Sequence, residues 1–236
     1  MPTPVHAGPD HEQLERLAAR ALDLVQPRTL LGLGSGRAAT AFVRALGARV
    51  AQGLRVRGVA TSEATARLAR EVGVPLAGLE EGLLDLAVDG ADEVDPRLDM
   101  IKGYGGALVR ERIVAAAARR LVILVGVEKV VAVLGSRGRL PVEVTPFALP
   151  LVMRELAGRG CRPILRTVDA APFVTDNGNR IIDCAVRPIE APADFARDLR
   201  AVPGVVDTGL FLGLSPVVLV AEGGGIREMT RGANKR

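Results

Sequence analysis

The sequence contains no tryptophan, one tyrosine and five phenylalanines. Proteins that grip single-stranded nucleic acid stack successive bases on aromatic rings, and this chain has few rings to offer. It also lacks any basic run of five or more residues, so nucleic acid is not an expected partner. Histidine is scarce as well, with His6 and His11 both in the opening segment. That argues against a Ser-His triad and against a histidine-based metal site. Proton transfer would then rest on Asp, Glu and Lys. The two cysteines, Cys161 and Cys184, are too few for a disulfide framework and read as reduced packing residues. No stretch approaches the roughly eighteen apolar residues that a membrane helix needs. The longest candidate, Leu121 to Leu134, is interrupted by Gly126, Glu128 and Lys129. Met1 to Asp10 lacks the basic start and apolar run of a secretion signal. No membrane association is expected, and a cytoplasmic location is the default.

What is present suits a soluble globular chain. The 236 residues are 48% hydrophobic and 25% charged, enough to bury a full core in one large domain or in a large and a small one. The net charge of +4 comes from 31 basic and 27 acidic side chains. So mild an excess fits a small anionic substrate better than a polyanion.

Apolar positions recur at helical spacing from residue 12 to 25, with Pro27 after them. Thr29 to Leu33, Val56 to Ala60, Leu84 to Val88 and Leu121 to Val125 read as strands. Helices are expected through Ala39 to Leu46, over Glu63 to Glu71 after Thr61-Ser62, and over Ala107 to Arg120. Strands alternating with helices in this way predict an α/β fold with a doubly wound, mostly parallel Rossmann-like sheet. After Gly135 the texture changes to short strands (Pro141 to Val144, Pro163 to Thr167, Phe173 to Thr175, Ile181 to Val186) and a helix over Ala193 to Arg200. This predicts a second, smaller α+β domain over 139–207, with 1–138 and 208–236 forming the Rossmann-like domain. Val217 to Ala221 is a last apolar strand able to rejoin the main sheet, and the tail from Arg227 reads as frayed.

Ligands of such sheets bind at the carboxyl ends of the strands. Asp89 and the loop Gly34-Ser35-Gly36 fall at such ends. The densest cluster is Asp89-Gly90-Ala91-Asp92-Glu93-Val94-Asp95, followed by Lys102-Gly103-Tyr104-Gly105-Gly106 and Glu111. Carboxylates directly after a buried strand are costly unless they face solvent or a polar site. A glycine-rich turn opening a helix offers backbone N–H groups to an anion. Carboxylates that move protons, beside a cation that holds a developing oxyanion, are what an enolisation requires. The alternative is a solvated acidic turn followed by capping glycines.

These residues resemble the type A ribose-5-phosphate isomerase family, whose signature reads D-G-A-D-E, eight residues, a lysine followed by glycines, and a glutamate nine residues after the lysine. A further family lysine falls at Lys129. Thr61-Ser62 with Thr65, Pro141 to Phe147, Thr175-Asp176-Asn177-Gly178-Asn179 and Gly209-Leu210-Phe211 are similar to other family segments, so that the likeness runs from about residue 14 to 226. The resemblance implies interconversion of ribose 5-phosphate and ribulose 5-phosphate through an enediolate, without metal or organic cofactor, by a homodimer or higher homo-oligomer. It implies that Glu111 carries the proton between C2 and C1. Asp89 would assist ring opening, Asp92 would position the sugar and Lys102 would stabilise the enediolate oxygen. Ser35, Gly36, Arg37, Gly90, Ala91, Gly103, Gly105, Gly106 and Lys129 would bind substrate, with Lys129 on the phosphate.

Three segments depart from the family pattern. Arg37 and Ala38 replace hydroxyl residues of the phosphate loop. Arg37 is either a bidentate phosphate donor, a side chain that fills the site or selects another anion, or a solvated surface group. Tyr104 replaces a glycine and is expected to narrow the pocket. Gly126-Val127-Glu128 replaces an acidic, serine-containing segment. Other readings remain open: a paralogue for another sugar phosphate, a non-catalytic sugar-phosphate sensor, or a nicotinamide enzyme using Gly34-x-Gly36-x-x-Ala39 with Glu63 after the next strand.

Overall fold

The computed structural model describes residues 8–231. In chain order the elements are α1 (His11–Leu22), β1 (Thr29–Leu33), α2 (Gly36–Ala51), β2 (Val56–Ala60), α3 (Glu63–Glu71), β3 (Leu86–Gly90), β4 (Glu93–Val94), β5 (Met100–Ile101), α4 (Leu108–Ala116), β6 (Leu121–Gly126) and β7 (Arg139–Val144). Then come α5 (Leu149–Gly158), β8 (Arg162–Leu165), β9 (Thr167–Val168), β10 (Ala171–Pro172), β11 (Arg180–Ala185), α6 (Pro192–Arg200), β12 (Val205–Thr208), β13 (Leu210–Phe211), β14 (Val217–Glu222) and β15 (Gly225–Met229). They form two compact units. The first runs to Gly90 and takes in Val114–Val130 and the chain from Ser215; the second is Ala91–Ile113 with Val131–Leu214.

The first unit is built on a six-stranded sheet ordered β15-β14-β6-β3-β1-β2. All neighbours pair parallel except the edge pair β14–β15. Apolar strand residues Leu31, Leu33, Val88, Val122 and Leu124 meet Leu17 and Ala21 of α1 and Phe42, Val43 and Leu46 of α2 in one buried cluster. Each large side chain so buried stabilises the fold by about 1.5–3 kcal/mol. Asp10 caps α1 by accepting from the Gln13 N–H, and the Gln13 side chain returns the bond as a capping box. Ser62 caps α3 by accepting from the Thr65 N–H. From β1 the chain passes to β2 on one side and to β3 on the other. That reversal leaves the loop after β1 beside the end of β3, the place where open sheets bind ligands.

The second unit holds an antiparallel sheet ordered β12-β7-β11-β8. Leu140, Val142, Val144 and Ile182 pack there against Val152 and Leu156 of α5 and Ala196 and Leu199 of α6. The small sheet β13-β5-β4 belongs to the same unit. The unit is thus larger than the 139–207 segment expected from sequence, because pairing of Glu93–Val94 and Leu210–Phe211 with Met100–Ile101 draws distant pieces of chain into it.

Three local expectations need correction. The helix expected to reach Arg120 stops at Ala116, since Ala118 bridges to Leu84 on the way into β6; pairing overrides alanine propensity. Phe173 to Thr175 forms no strand: the preceding hairpin is Thr167–Pro172, and Thr175 begins a turn closed by its own N–H on the Asn179 carbonyl. Of the tail expected to be frayed from Arg227, Arg227 to Met229 belong instead to the antiparallel edge strand β15 (Gly225–Met229), and 232–236 lie outside the described residues.

Candidate active site

In the first unit the site is built on the close approach of β1 and β3. Leu33 is in register with Val88, so the next residues, Gly34 and Asp89, are also neighbours. A β-carbon at Gly34 would run into the Asp89 carboxylate and its Cα; only glycine fits. Asp89, 5% exposed, accepts from the Ser35 N–H (2.9 Å) and the Gly90 N–H (2.7 Å) at Oδ1. Buried hydroxyls brace this loop. Thr65 donates to the Gly34 carbonyl and Thr61 to the Leu33 carbonyl. Ser35 sits at the N-cap of α2 with Gly36 and Arg37 in its first turn, where amide N–H groups favour an anion. The Arg37 guanidinium is exposed and donates to the Pro9 carbonyl at 2.8 Å. Lys129 lies half-buried in the short turn Val127–Lys129 after β6. A dinucleotide pyrophosphate would need the Ser35 N–H that Asp89 already takes, and would face that carboxylate across a short distance. Like charges there disfavour the nicotinamide reading.

In the second unit Lys102 follows β5 and Glu111 lies in the first turn of α4. Their side chains are 4% and 5% exposed, and Lys102 Nζ is 3.3 Å from Glu111 Oε2. Sequence places Lys102 at the mouth of the glycine turn; the structure buries it. Asp92 is half-buried and accepts from the Tyr104 N–H at 2.9 Å. The turn between them has Gly103 and Gly106 at positive φ, Gly105 exposed, and Gly106 against Phe173. Gly90 and Ala91 are half-buried.

The acidic run is not a solvated turn. Glu93 is fully buried, and its carboxylate accepts from the Gly135 and Arg137 N–H groups at 2.6 and 2.8 Å. Burial nevertheless pushes this carboxyl above its ordinary range. Asp95 accepts from the Arg97 and Asp99 N–H groups and shapes the turn between β4 and β5; its carboxyl too is raised, chiefly by burial. Tyr104 turns toward the core of its unit. Its hydroxyl donates to the Arg139 carbonyl (3.1 Å) and the Arg139 guanidinium lies 3.9 Å from its ring. Burial, with Asp92 and Glu93 adding to it, raises the phenol to about 12.

Sequence reasoning missed Arg166. It donates to the Gly103 and Tyr104 carbonyls at 3.1 and 3.0 Å while pairing with Asp183, and so holds the turn after Lys102. Nothing local distinguishes it from the other surface-compatible arginines of the chain. Glu143 lies in the family-like segment Pro141 to Phe147. It is fully buried and accepts from Thr175, Asn177 and Asn179. Asn177 in turn accepts from Arg110, the neighbour of Glu111.

Comparison with known proteins finds a matching family and close relatives within it. The family model described as ribose 5-phosphate isomerase A (phosphoriboisomerase A) matches residues 57–225. The ribose-5-phosphate isomerase A of Roseiflexus castenholzii is 50% identical over 224 residues, covering 93% of this chain and 96% of that protein. That of Gloeobacter violaceus is 46% identical over 227 residues, covering 95% and 99%. Among solved structures, ribose 5-phosphate isomerase A from Methanocaldococcus jannaschii superposes with a TM-score of 0.90 at 36% identity, over 94% of this chain and 100% of that one. A D-ribose-5-phosphate isomerase in complex with phospho-erythronic acid gives 0.90 at 35%, over 93% and 98%.

Proposed function

Because the chain belongs to the ribose 5-phosphate isomerase A family, we propose that it interconverts ribose 5-phosphate and ribulose 5-phosphate through an enediolate, with Glu111 as the base. The observation that carries this reading is the buried Lys102–Glu111 pair at 3.3 Å. Proton abstraction beside a carbonyl needs a carboxylate to take the proton and a cation where negative charge gathers on oxygen. Glu111 takes the proton from C2 of the open-chain aldose and returns it to C1. Lys102 meets the enediolate oxygen in between.

Asp89, held by two backbone N–H groups, assists ring opening and proton movement at the hydroxyls, and Asp92 positions the sugar with the Gly103 to Gly106 turn. Ser35, Gly36 and Arg37 at the start of α2 take the phosphate with Lys129. A related D-ribose-5-phosphate isomerase solved in complex with phospho-erythronic acid supports a site for a phosphorylated small molecule. The reaction uses no metal or organic cofactor. The resemblance further supports a homodimer or higher homo-oligomer, with the cytoplasm as the default location. Among the described residues no helix is long and apolar enough to cross a membrane.

The test is conversion of ribose 5-phosphate by purified protein with a metal chelator present and Glu111→Gln as the control. Turnover by the wild type, at least about a hundredfold lower in the folded variant, is the expected outcome. Near-normal turnover in Glu111→Gln would remove Glu111 from the role.

A further inference from the structure

The Gly209-Leu210-Phe211 segment has no part in the chemistry above, yet it contacts Lys102 twice. The Lys102 N–H donates to the Gly209 carbonyl at 2.9 Å. A β-carbon at Gly209 would strike the Lys102 carbonyl, so glycine is what permits the approach. The adjoining β13 pairs with β5, placing Leu210 opposite Ile101 and Phe211 opposite Met100. At the other end of the lysine, Nζ lies 5.5 Å from the centroid of the fully buried Phe211 ring.

The same ring has a second cation. The Arg112 guanidinium carbon lies 4.0 Å from its centroid. Arg112 is fixed by bonds from Nη2 to the Thr208 and Leu210 carbonyls at 2.7 and 2.9 Å, and by its pairing with Asp207. Asp207 also accepts from Arg200 and from the Thr208 N–H. Arg112 directly follows Glu111 on α4. The proposed base and the proposed cation therefore share one brace: α4 through Arg112, Lys102 through its ammonium, both on Phe211.

A lysine ammonium is a compact charge on a flexible stem with three rotatable donors. Burial removes the water that would otherwise satisfy it, and a ring face attracts it with a defined direction. The geometry points to Phe211 and Arg112 as positioning residues that hold the Lys102 ammonium in register with Glu111. This assignment rests on the proposed isomerase chemistry. It adds that the spacing of the pair is set by the β12–β13 segment as well as by the glycine turn.

The experiment compares wild type, Phe211→Leu, Arg112→Lys and the double variant in ribose 5-phosphate turnover, with thermal unfolding measured alongside. Phe211→Leu keeps an apolar side chain and removes the ring face. Arg112→Lys keeps the charge and removes the flat fork. Each lowers kcat by about tenfold and leaves KM within about twofold, because a misplaced catalytic group costs rate rather than ground-state binding. The double variant loses no more than the worse single one, since both act through one brace. Val152→Ala, a cavity in the core of the same unit, lowers the unfolding temperature and leaves kcat unchanged. If Phe211→Leu fails to fold, Arg112→Lys decides alone. A kcat within about twofold of wild type, or a change confined to KM, overturns the brace and leaves the isomerase assignment standing. Absence of wild-type turnover overturns the isomerase assignment and the brace with it.

Discussion

At the scale of single residues, the contact between positions 34 and 89 leaves the least room. A β-carbon on residue 34 would occupy the place of the Asp89 side chain and press on its Cα. Gly34→Ala must therefore displace either the phosphate loop or Asp89, at a cost of about 1–3 kcal/mol for overpacking. We expect turnover at least about tenfold lower with a modest fall in unfolding temperature; wild-type kcat in a folded Gly34→Ala chain would show that Asp89 need not sit there. The acidic run shows how far residue-level reading reaches. Composition and spacing single out Asp89, Asp92, Glu93 and Asp95 together, and only the family resemblance gives Asp89 and Asp92 roles apart from the other two. In the structure their partners separate them. Glu93 and Asp95 are taken up by backbone N–H groups of turns, and Glu93 owes this to residues more than forty positions away. Arg166 escaped notice for the same reason, since its importance lies in the Gly103 and Tyr104 carbonyls it meets.

At the scale of elements, the long apolar strands and the capped helices were legible because hydrophobic period and capping side chains are local. The two-residue strands Glu93–Val94, Met100–Ile101 and Leu210–Phe211 were not, as each exists only by pairing with another. The sequence reading includes no helix over α5, although Pro150 in its first turn suits a helix start. β15 was hidden by its polar sequence, which suits an edge. Arg227 pairs with Glu222 on one face and Glu228 with Arg20 on the other, and charged edges resist association. Ending the chain after Gly224 would bare the edge of β14 that β15 covers, including the buried, apolar Val218 to Ala221. The expected outcome is a lower unfolding temperature and concentration-dependent association in light scattering. A truncated chain that stayed monodisperse, with the wild-type midpoint, would show that β15 protects nothing.

At the scale of the whole molecule, the single tyrosine links folding to alkaline pH. Its phenol ionises near 10 when unfolded and at about 12 in the fold, so the fold favours the neutral form. Stability from this group is complete below about pH 10 and is lost as the pH rises toward about 12. Wild type should lose unfolding temperature across that window more steeply than Tyr104→Phe, whose other titrating groups are the same; parallel curves would mean that Tyr104 is not held neutral. The sequence by itself determined the α/β class, the positions of the main strands along the chain, the glycine loop and the residues available for proton transfer. Period, capping and composition are properties of neighbours along the chain, and a chain with two histidines leaves carboxylates and lysine to do the work. Only the tertiary structure decided that Lys102 is buried against Glu111, that Tyr104 turns inward, and that Lys102 and Arg112 both approach the ring of Phe211. Those facts depend on register and on close approach between segments up to about a hundred residues apart, which no local pattern encodes.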